Sequence, residues 1–166
     1  MPRLSTFLTL IAFSAGLSPV FSLDPGRYRI SSNSFGDEPQ YLTSRYGSNE
    51  ELQFDFGDPA APSQLWDLLP AGFGDTFQMN NVEYGCTAAK DDKFSGVPVV
   101  ICGGTETSSV ILTPVGAPDT YYIDFGFSEP RRMSRLSPQP GTNATLTSSE
   151  DGFPPTWFRF NPVPGP

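Results

Sequence analysis

Histidine is absent from this chain of 166 residues, and positively charged residues are scarce. Without histidine there is no Ser-His-Asp or Cys-His catalytic set, and the usual zinc sites lose their imidazole ligand. Ten Lys and Arg stand against 18 Asp and Glu, so the net charge is −8. A chain of this sign is repelled by nucleic acid and by anionic lipid. We therefore expect no nucleic-acid partner and no metal site.

Other catalytic patterns are missing as well. No Gly-rich phosphate loop stands between a strand and a helix, since Gly103-Gly104 follows a predicted strand as a turn. The adjacent acids Asp91-Asp92 and Glu150-Asp151 lie in predicted turns. Such acids are expected to be solvated charges rather than two carboxylates that face each other across a cleft. We predict a protein that is not an enzyme and uses no cofactor.

The first 22 residues have the pattern of an export signal. Arg3 precedes the apolar stretch 7–13, and small residues stand before a predicted cleavage site at Leu23. The apolar stretch is too short to cross roughly 30 Å of hydrocarbon, and no later segment is long and apolar enough. We expect a secreted monomer that has no membrane attachment once the signal is removed, with residues 23–166 forming one domain.

Export from the cell leads to two further predictions, a disulfide and a glycosylation site. Cys86 and Cys102 are the only cysteines, and in an exported protein such a pair is expected to form a disulfide, with two buried free thiols as the alternative. Asn143-Ala144-Thr145 is the only acceptor sequence for N-glycosylation. Its surroundings are rich in Pro, Gly, Ser and Thr, which predicts a surface loop. Asn143 is thus a candidate glycosylation site.

The chain is rich in turn formers and in aromatic residues. It contains 18 Pro and 16 Gly together with 14 Phe, six Tyr and two Trp. Apolar and polar residues alternate in segments such as 26–30, 52–56 and 156–160, which is the period of half-buried strands. Gly and Pro clusters separate these segments. The pattern predicts many short strands and almost no helix.

An internal repeat organises these strands. Residues 66–79 match residues 110–123 without a gap, at an offset of 44. Residues 157–162 form a third copy, with one extra residue between the Trp and the Pro. The identical pairs are Pro70/Pro114, Gly72/Gly116, Asp75/Asp119 and Thr76/Thr120. Each following strand begins with a similar pair, Tyr28 and Ile30, Phe77 and Met79, and Tyr121 and Ile123.

Three units of about 45 residues, each with four strands, predict an all-β protein of 12 strands. Short antiparallel strands must close on themselves or cover their edges, and a closed six-stranded barrel capped by three hairpins, a β-trefoil, does both. An immunoglobulin-like sandwich would not produce a threefold repeat, and its inter-sheet bridge needs more than 16 residues between cysteines. We expect Trp66, Val110 and either Trp157 or Phe158 at equivalent inward positions, as well as Tyr28, Phe77 and Tyr121.

The middle unit carries both cysteines. Its predicted strands are 77–82, 84–90, 98–103 and 108–113. Cys86 and Cys102 then lie on the second and third strands, opposite each other across a hairpin. Their bridge would brace the loop 91–96.

Short motifs resemble two groups of β-trefoil proteins. Gln64-Leu65-Trp66 resembles the Gln-x-Trp motif of ricin-B-type lectins. The opening 24–30, Asp-Pro-Gly-Arg-Tyr-Arg-Ile, and the close 153–163, Phe-Pro-Pro-Thr-Trp-Phe-Arg-Phe-Asn-Pro-Val, resemble fungal serine protease inhibitors of the cospin type. More loosely, the chain is similar to the mycocypins of mushrooms. The resemblance covers most of residues 23–166.

The resemblance to inhibitors implies an extracellular protease as the partner. In the cospin-like group a first-repeat loop carries a basic residue into trypsin. The counterpart here is residues 43–48, with Arg45, Tyr46 and Gly47 at the tip. The alternative loops are a hairpin with Lys90 and Lys93, the pair Arg131-Arg132, and residues 31–39 around Gly36 for cysteine proteases. The last of these corresponds to the mycocypin-like mode.

The resemblance to lectins implies a glycan as the partner. In that group an Asp, an aromatic platform and a polar residue lie within one repeat, and Asp37 with Tyr46 is the candidate set here. Only the first repeat keeps Gln-x-Trp, because the second has Ser108-Ser109-Val110 and the third has Pro155-Thr156-Trp157. A third possibility is a secreted interaction protein with neither activity. We predict the inhibitor first and the lectin second.

Overall fold

The computed structural model describes residues 23–32, 35–36, 38–72, 76–91, 97–103, 108–126, 131–148 and 156–164. Within these ranges it has thirteen strands and one short 3₁₀ helix, Pro62–Gln64. The strands are β1 Gly26–Ser32, β2 Gln40–Thr43, β3 Gln53–Phe56, β4 Trp66–Pro70, β5 Thr76–Asn81, β6 Thr87–Asp91, β7 Val99–Gly103, β8 Val110–Pro114, β9 Thr120–Phe125, β10 Arg131–Ser134, β11 Thr142–Asn143, β12 Thr145–Thr147 and β13 Phe158–Pro162. The all-β prediction is confirmed.

Six of the strands pair in a closed ring, in the order β1, β4, β5, β8, β9 and β13. Every pairing is antiparallel. A second closed path of nine strands leaves this ring at β5, runs through β6, β7, β12 and β10, and returns at β9. Closure leaves these barrel strands without a free edge, which is the arrangement expected of a β-trefoil.

The register of the barrel has threefold pseudosymmetry. The exit strands β4, β8 and β13 each have five residues and end in Pro. In each repeat that Pro lies opposite the aromatic residue of an entry strand: Pro70 opposite Phe77, Pro114 opposite Tyr121, and Pro162 opposite Tyr28. Two positions earlier the opposed pairs are Leu68 and Met79, Leu112 and Ile123, and Phe160 and Ile30. These residues form the barrel core.

Phe158, not Trp157, is the third inward residue. Trp66, Val110 and Phe158 are each at most 1% exposed and begin the three exit strands. Trp157 stands one residue before β13 and is half-buried. The one-residue insertion assumed between the Trp and the Pro therefore does not exist, because counting from Phe158 makes the three strands equal in length.

Three hairpin-forming pairs close the barrel at one end: β2 with β3, β6 with β7, and β10 with β12. They meet where the N–H of Leu52 donates to the carbonyl of Val100 at 2.8 Å. Val100 donates likewise to Ala144 at 2.8 Å, and Ala144 donates to Leu52 at 2.7 Å. This cyclic triangle of backbone hydrogen bonds joins three fully buried residues, one from each repeat.

The strand count differs from the expected 12. Ala144 interrupts the third strand of the last repeat, because its backbone is committed to the central triangle. Before it, Thr142 pairs with Phe54 of β3; after it, Thr145 pairs with Val99 of β7. The change of partner divides this segment into β11 and β12, which gives thirteen strands in the described part of the chain.

The disulfide between Cys86 and Cys102 is present, with a Cα–Cα distance of 5.4 Å. Its predicted placement is wrong in one respect. Cys102 lies on β7, where its cross-strand partner is Ala88, and Cys86 precedes β6. The second strand starts late because residues 82–84 turn around Asn81, whose side-chain oxygen accepts from the N–H groups of Glu83 and Tyr84 at 3.2 Å.

Candidate functional site

Gln64 and Trp66 of the Gln-x-Trp motif are structural. Gln64 is 3% exposed, and its Nε2 donates to the carbonyl of Phe56 at 2.8 Å while its Oε1 accepts from the N–H of Asp58 at 3.0 Å. Trp66 is 1% exposed, and its Nε1 donates to the carbonyl of Leu42 at 2.9 Å. The motif thus ties the 3₁₀ turn to β2 and β3, and both side chains are buried.

Arg45 does not stand free at the tip of its loop. Its Nε donates to Asp55 Oδ2 at 2.8 Å and its Nη2 donates to Asp55 Oδ1 at 2.5 Å. The hydrogen bond to Asp55 raises the pKa of the Arg45 guanidinium above its ordinary value. Bidentate pairs of this kind are geometrically specific. The guanidinium is therefore directed back onto β3, while 43% of the side chain stays exposed.

Tyr46 is the side chain that this loop exposes, with 68% of its surface accessible. The backbone around it is well held. Tyr84 Oη donates to the carbonyl of Arg45 at 2.9 Å, and the N–H of Asn49 donates to Cys102 at 2.6 Å. Gly47 has φ of 84°, and a Cβ there would lie 3.1 Å from the Tyr84 ring, so the loop requires glycine at this position.

The other predicted basic sites are dispersed. Lys90 is half-buried in β6, and Lys93 lies outside the described residues. Arg132 Nε donates to Asp124 Oδ1 at 2.8 Å, and its guanidinium lies 3.8 Å from the centre of the Tyr122 ring. Its hydrogen bond to Asp124 raises the pKa of Arg132. Arg131 is half-exposed at the start of β10.

The predicted sugar pair is Asp37 with Tyr46. Asp37 lies outside the described residues, so its position beside Tyr46 stays a prediction. Its neighbour Gly36 is exposed, with φ of 68°.

Asn143, the predicted glycosylation site, does not lie in a surface loop. It is half-buried in β11, where its Nδ2 donates to Glu51 Oε2 and its Oδ1 accepts from Gln53 at 3.2 Å. A glycan on this nitrogen would displace the contact with Glu51.

A groove on the barrel wall brings together aromatic residues that the sequence does not connect. Its volume is about 660 Å³, and Tyr41 of β2, Tyr122 of β9 and Trp157 before β13 line it. We name this feature the aromatic groove. Gly57 allows the Tyr41 ring to lie against the backbone, because a Cβ at that position would come within 2.5 Å of the ring. Arg132 in turn covers one face of Tyr122.

The polar groups of the aromatic groove come from three adjacent strands: Ser31 of β1, Thr120 of β9, and Arg159 and Asn161 of β13. Strand alternation explains this, because Phe158 and Phe160 point into the core while residues 157, 159 and 161 line the groove. Asn161 Nδ2 donates to Ser31 Oγ at 3.0 Å. Pro and small apolar residues complete the wall.

The sequence prediction missed this groove, since it joins residues more than 110 positions apart. The available signal was the alternation in β9 and β13, which leaves Tyr122, Arg159 and Asn161 facing outward. Within the described ranges, no three Cys, Asp or Glu side chains cluster as metal ligands would. In the same ranges, no helix is long and apolar enough to cross a membrane.

The fold is similar to solved β-trefoil structures. A ricin B-like lectin of Macrolepiota procera, solved in complex with lactose, superposes with a TM-score of 0.67 at 14% identity, over 86% of this chain and 99% of that one. The Rhizoctonia solani agglutinin gives 0.65 at 16% identity, over 86% and 98%. The BEL β-trefoil gives 0.58 at 17% identity, over 86% and 97%. No protein-family model and no curated protein sequence matches the chain.

These identities establish the fold alone. The β-trefoil architecture expected from the repeat is therefore confirmed, but a specific likeness to cospin-type inhibitors is not. Function has to be argued from the sites.

Proposed function

We propose that this protein is a carbohydrate-binding β-trefoil protein and that the aromatic groove is its glycan site. The observation that carries the proposal is the convergence of Tyr41, Tyr122 and Trp157 on one open groove edged by polar groups. This reverses the order of the two functions predicted from sequence. It is a proposal of binding without catalysis.

The chemistry of the groove suits a sugar. A pyranose ring has an apolar face of C–H groups, which packs on aromatic rings, and a rim of hydroxyls, which need hydrogen-bond partners. Trp157 and the two tyrosines supply ring surface, whereas the Ser31 hydroxyl and the side-chain oxygens of Thr120 and Asn161 supply polar groups. The Thr120 hydroxyl already donates to the carbonyl of Pro118 and Asn161 Nδ2 to Ser31 Oγ. Because these side chains are held before a ligand binds, little ordering entropy is lost on binding.

The test is a glycan array followed by titration of any hit, with lactose included because a similar lectin was solved with it. Trp157→Ala should weaken binding by about tenfold or more. Tyr46→Ala is the matched control, since this exposed aromatic lies outside the groove. Loss of binding with Tyr46→Ala alone would move the site to the loop that carries Tyr46. Absence of binding to every glycan would contradict the proposed function.

Protease inhibition remains the second candidate, and one observation favours it. The loop 44–49 is braced by the hydrogen bonds of Ser44, Arg45 and Asn49, and it presents Tyr46 to solvent. A rigid exposed loop loses little entropy when it docks into an enzyme cleft. Because the exposed side chain is aromatic, a chymotrypsin-like pocket fits it better than a trypsin-like one, which would require Arg45 to leave Asp55.

A panel of proteases distinguishes inhibition of a chymotrypsin-like enzyme from inhibition of a trypsin-like enzyme. Inhibition of a chymotrypsin-like enzyme that disappears in Tyr46→Ala would support the loop and this choice of pocket. Inhibition of trypsin that disappears in Arg45→Ala, and that strengthens in Asp55→Asn, would support the original prediction. Lys90→Ala serves as the control for the hairpin alternative. If neither proteases nor glycans are bound, the third class remains, an interaction protein with neither activity.

We further propose that the protein is secreted after cleavage before Leu23. Leu23 is 7% exposed and belongs to the core cluster, so the folded domain includes the first residue after the proposed cut. The disulfide also fits an oxidising compartment. N-terminal sequencing of the exported protein tests the cleavage site, and its mass shows whether Asn143 carries a glycan.

A further inference from the structure

Among the described residues, Arg159 of the aromatic groove has no acidic partner. It is exposed on β13, between its cross-strand neighbours Ser31 of β1 and Thr120 of β9. Neither neighbour carries a charge. In contrast, the described Arg27, Arg45 and Arg132 each form a bidentate pair with an aspartate.

The equivalent positions in the other two repeats carry no unpaired charge. The position of Arg159 in the third exit strand corresponds to Asp67 in the first and Ile111 in the second. Asp67 lies opposite Arg27, and their side chains form hydrogen bonds of 2.8 and 2.9 Å. Ile111 lies opposite Thr76, where no charge is present. Only in the third repeat does this position hold a charge that its cross-strand partner does not neutralise.

The distribution of charge around the groove also favours a negatively charged ligand. The chain has 18 acidic residues against ten basic ones, yet no Asp or Glu is among the described residues that line the groove. A negatively charged ligand would therefore meet a guanidinium there without meeting an adjacent carboxylate. Beside the guanidinium are the hydroxyl-bearing Ser31, Thr120 and Tyr122 and the amide of Asn161.

We propose that the aromatic groove selects saccharides that carry an anionic group, a carboxylate or a sulfate ester, and that Arg159 binds that group. The proposal rests on the proposed function and specifies its ligand class. A guanidinium presents parallel N–H donors that match the oxygens of a carboxylate or a sulfate. The sugar ring would then pack on Trp157, and the anionic substituent would lie beside Arg159, between β1 and β9.

The ligands that test this are pairs that share a sugar backbone and differ in the anionic group. Oligogalacturonate and its methyl ester share the same sugar ring, so their affinity ratio isolates the carboxylate. A sulfated galactan oligosaccharide and its desulfated form do the same for the sulfate ester. Affinities are measured by calorimetric titration for the wild type, for Arg159→Gln and for Trp157→Ala. Arg131→Gln is the matched control, because it removes one half-exposed arginine charge from β10, outside the groove.

For the wild type we expect the anionic form of at least one pair to bind about 10- to 100-fold more tightly than its neutral form. Arg159→Gln should remove most of that preference, so that the two forms bind with nearly equal affinity. Trp157→Ala should weaken both forms, and Arg131→Gln should change neither. Which pair shows the preference distinguishes carboxylate from sulfate as the source of the charge.

Two results would overturn the inference and remain distinguishable from a failure of the proposed function. If Trp157→Ala abolishes binding of neutral glycans but no anionic form is preferred, the groove binds sugar and the charge selectivity is wrong. If the preference exists and Arg159→Gln retains it, another cation is responsible. If no saccharide binds at all, the proposed function itself fails.

Discussion

Arg45 holds Asp55 through two hydrogen bonds, of 2.8 and 2.5 Å, across the turn that joins β2 and β3. The carboxylate is the more enclosed partner, with 13% of its side chain exposed against 43% for the arginine. This pair engages the arginine that the sequence marked as the inhibitory residue. Arg45 thereby supports the loop internally, and the neighbouring Tyr46 is 68% exposed.

The pair should show measurable coupling. In a double-mutant cycle of Arg45→Gln and Asp55→Asn, we expect a coupling free energy of about 0.5–1 kcal/mol, the range for pairs that solvent still reaches. Urea unfolding measures it. Glu83→Gln, at an exposed site in the turn after β5, should leave the free energy of unfolding nearly unchanged. A coupling of zero would mean that the guanidinium is free in solution, which would restore Arg45 as a candidate contact for a protease.

Gln64 should be essential for stability and irrelevant to ligand binding. In Gln64→Leu the carbonyl of Phe56 and the N–H of Asp58 lose their partners within a mostly buried turn. We expect a loss of about 2 kcal/mol or more in the free energy of unfolding. Glycan affinity, measured below the unfolding transition, should stay within about twofold of the wild type, a change of about 0.4 kcal/mol. Loss of binding in a folded Gln64→Leu protein would show that the motif belongs to the site.

Reduction of the disulfide should destabilise the domain. The bond closes a segment with a sequence separation of 16, for which the chain-entropy model gives about 3 kcal/mol. Urea unfolding with and without a reductant measures the difference. The double variant Cys86→Ala with Cys102→Ala is the control and should show no response to the reductant. A wild-type protein whose stability is equally insensitive would contradict the contribution expected for this bond.

Stability should fall at alkaline pH partly because of two buried tyrosines. Burial raises the pKa of Tyr28 and of Tyr121, and nearby aspartates raise both further. The unfolded chain therefore loses these protons near pH 10, before the folded one does. This contribution to stability is complete below about pH 10 and is lost as the pH rises through the raised values.

Urea unfolding between about pH 9 and pH 12 measures this effect. Tyr28→Phe combined with Tyr121→Phe should make the decline in stability shallower than in the wild type. Tyr46→Phe, at an exposed position, should leave the decline unchanged. Equal slopes for all three proteins would show that the tyrosines titrate alike in the folded and unfolded states.

Much of the barrel could be predicted from the sequence because its signals are local. Alternation gave the strands, and the repeated Pro, Gly, Asp and Thr gave equivalent turns in two copies. Where neighbouring residues are alike, the local signal fails. Trp157 and Phe158 are both large and aromatic, and a shift of one residue exchanges the faces of a strand. Only the pairing of β13 with β1 and β9 selects Phe158 for the core and leaves Trp157 for the groove.

The sequence by itself determined an all-β chain with a threefold repeat and one disulfide, because these depend on side-chain periodicity, turn residues and the count of cysteines. Tertiary structure decided which residues meet. It joined Arg45 to Asp55, placed Asn143 in a strand through the central triangle of backbone bonds, and brought Tyr41 and Trp157 into one groove. Barrel closure sets these contacts, since it pairs the first strand with the last across more than 120 residues, and no local pattern encodes that register.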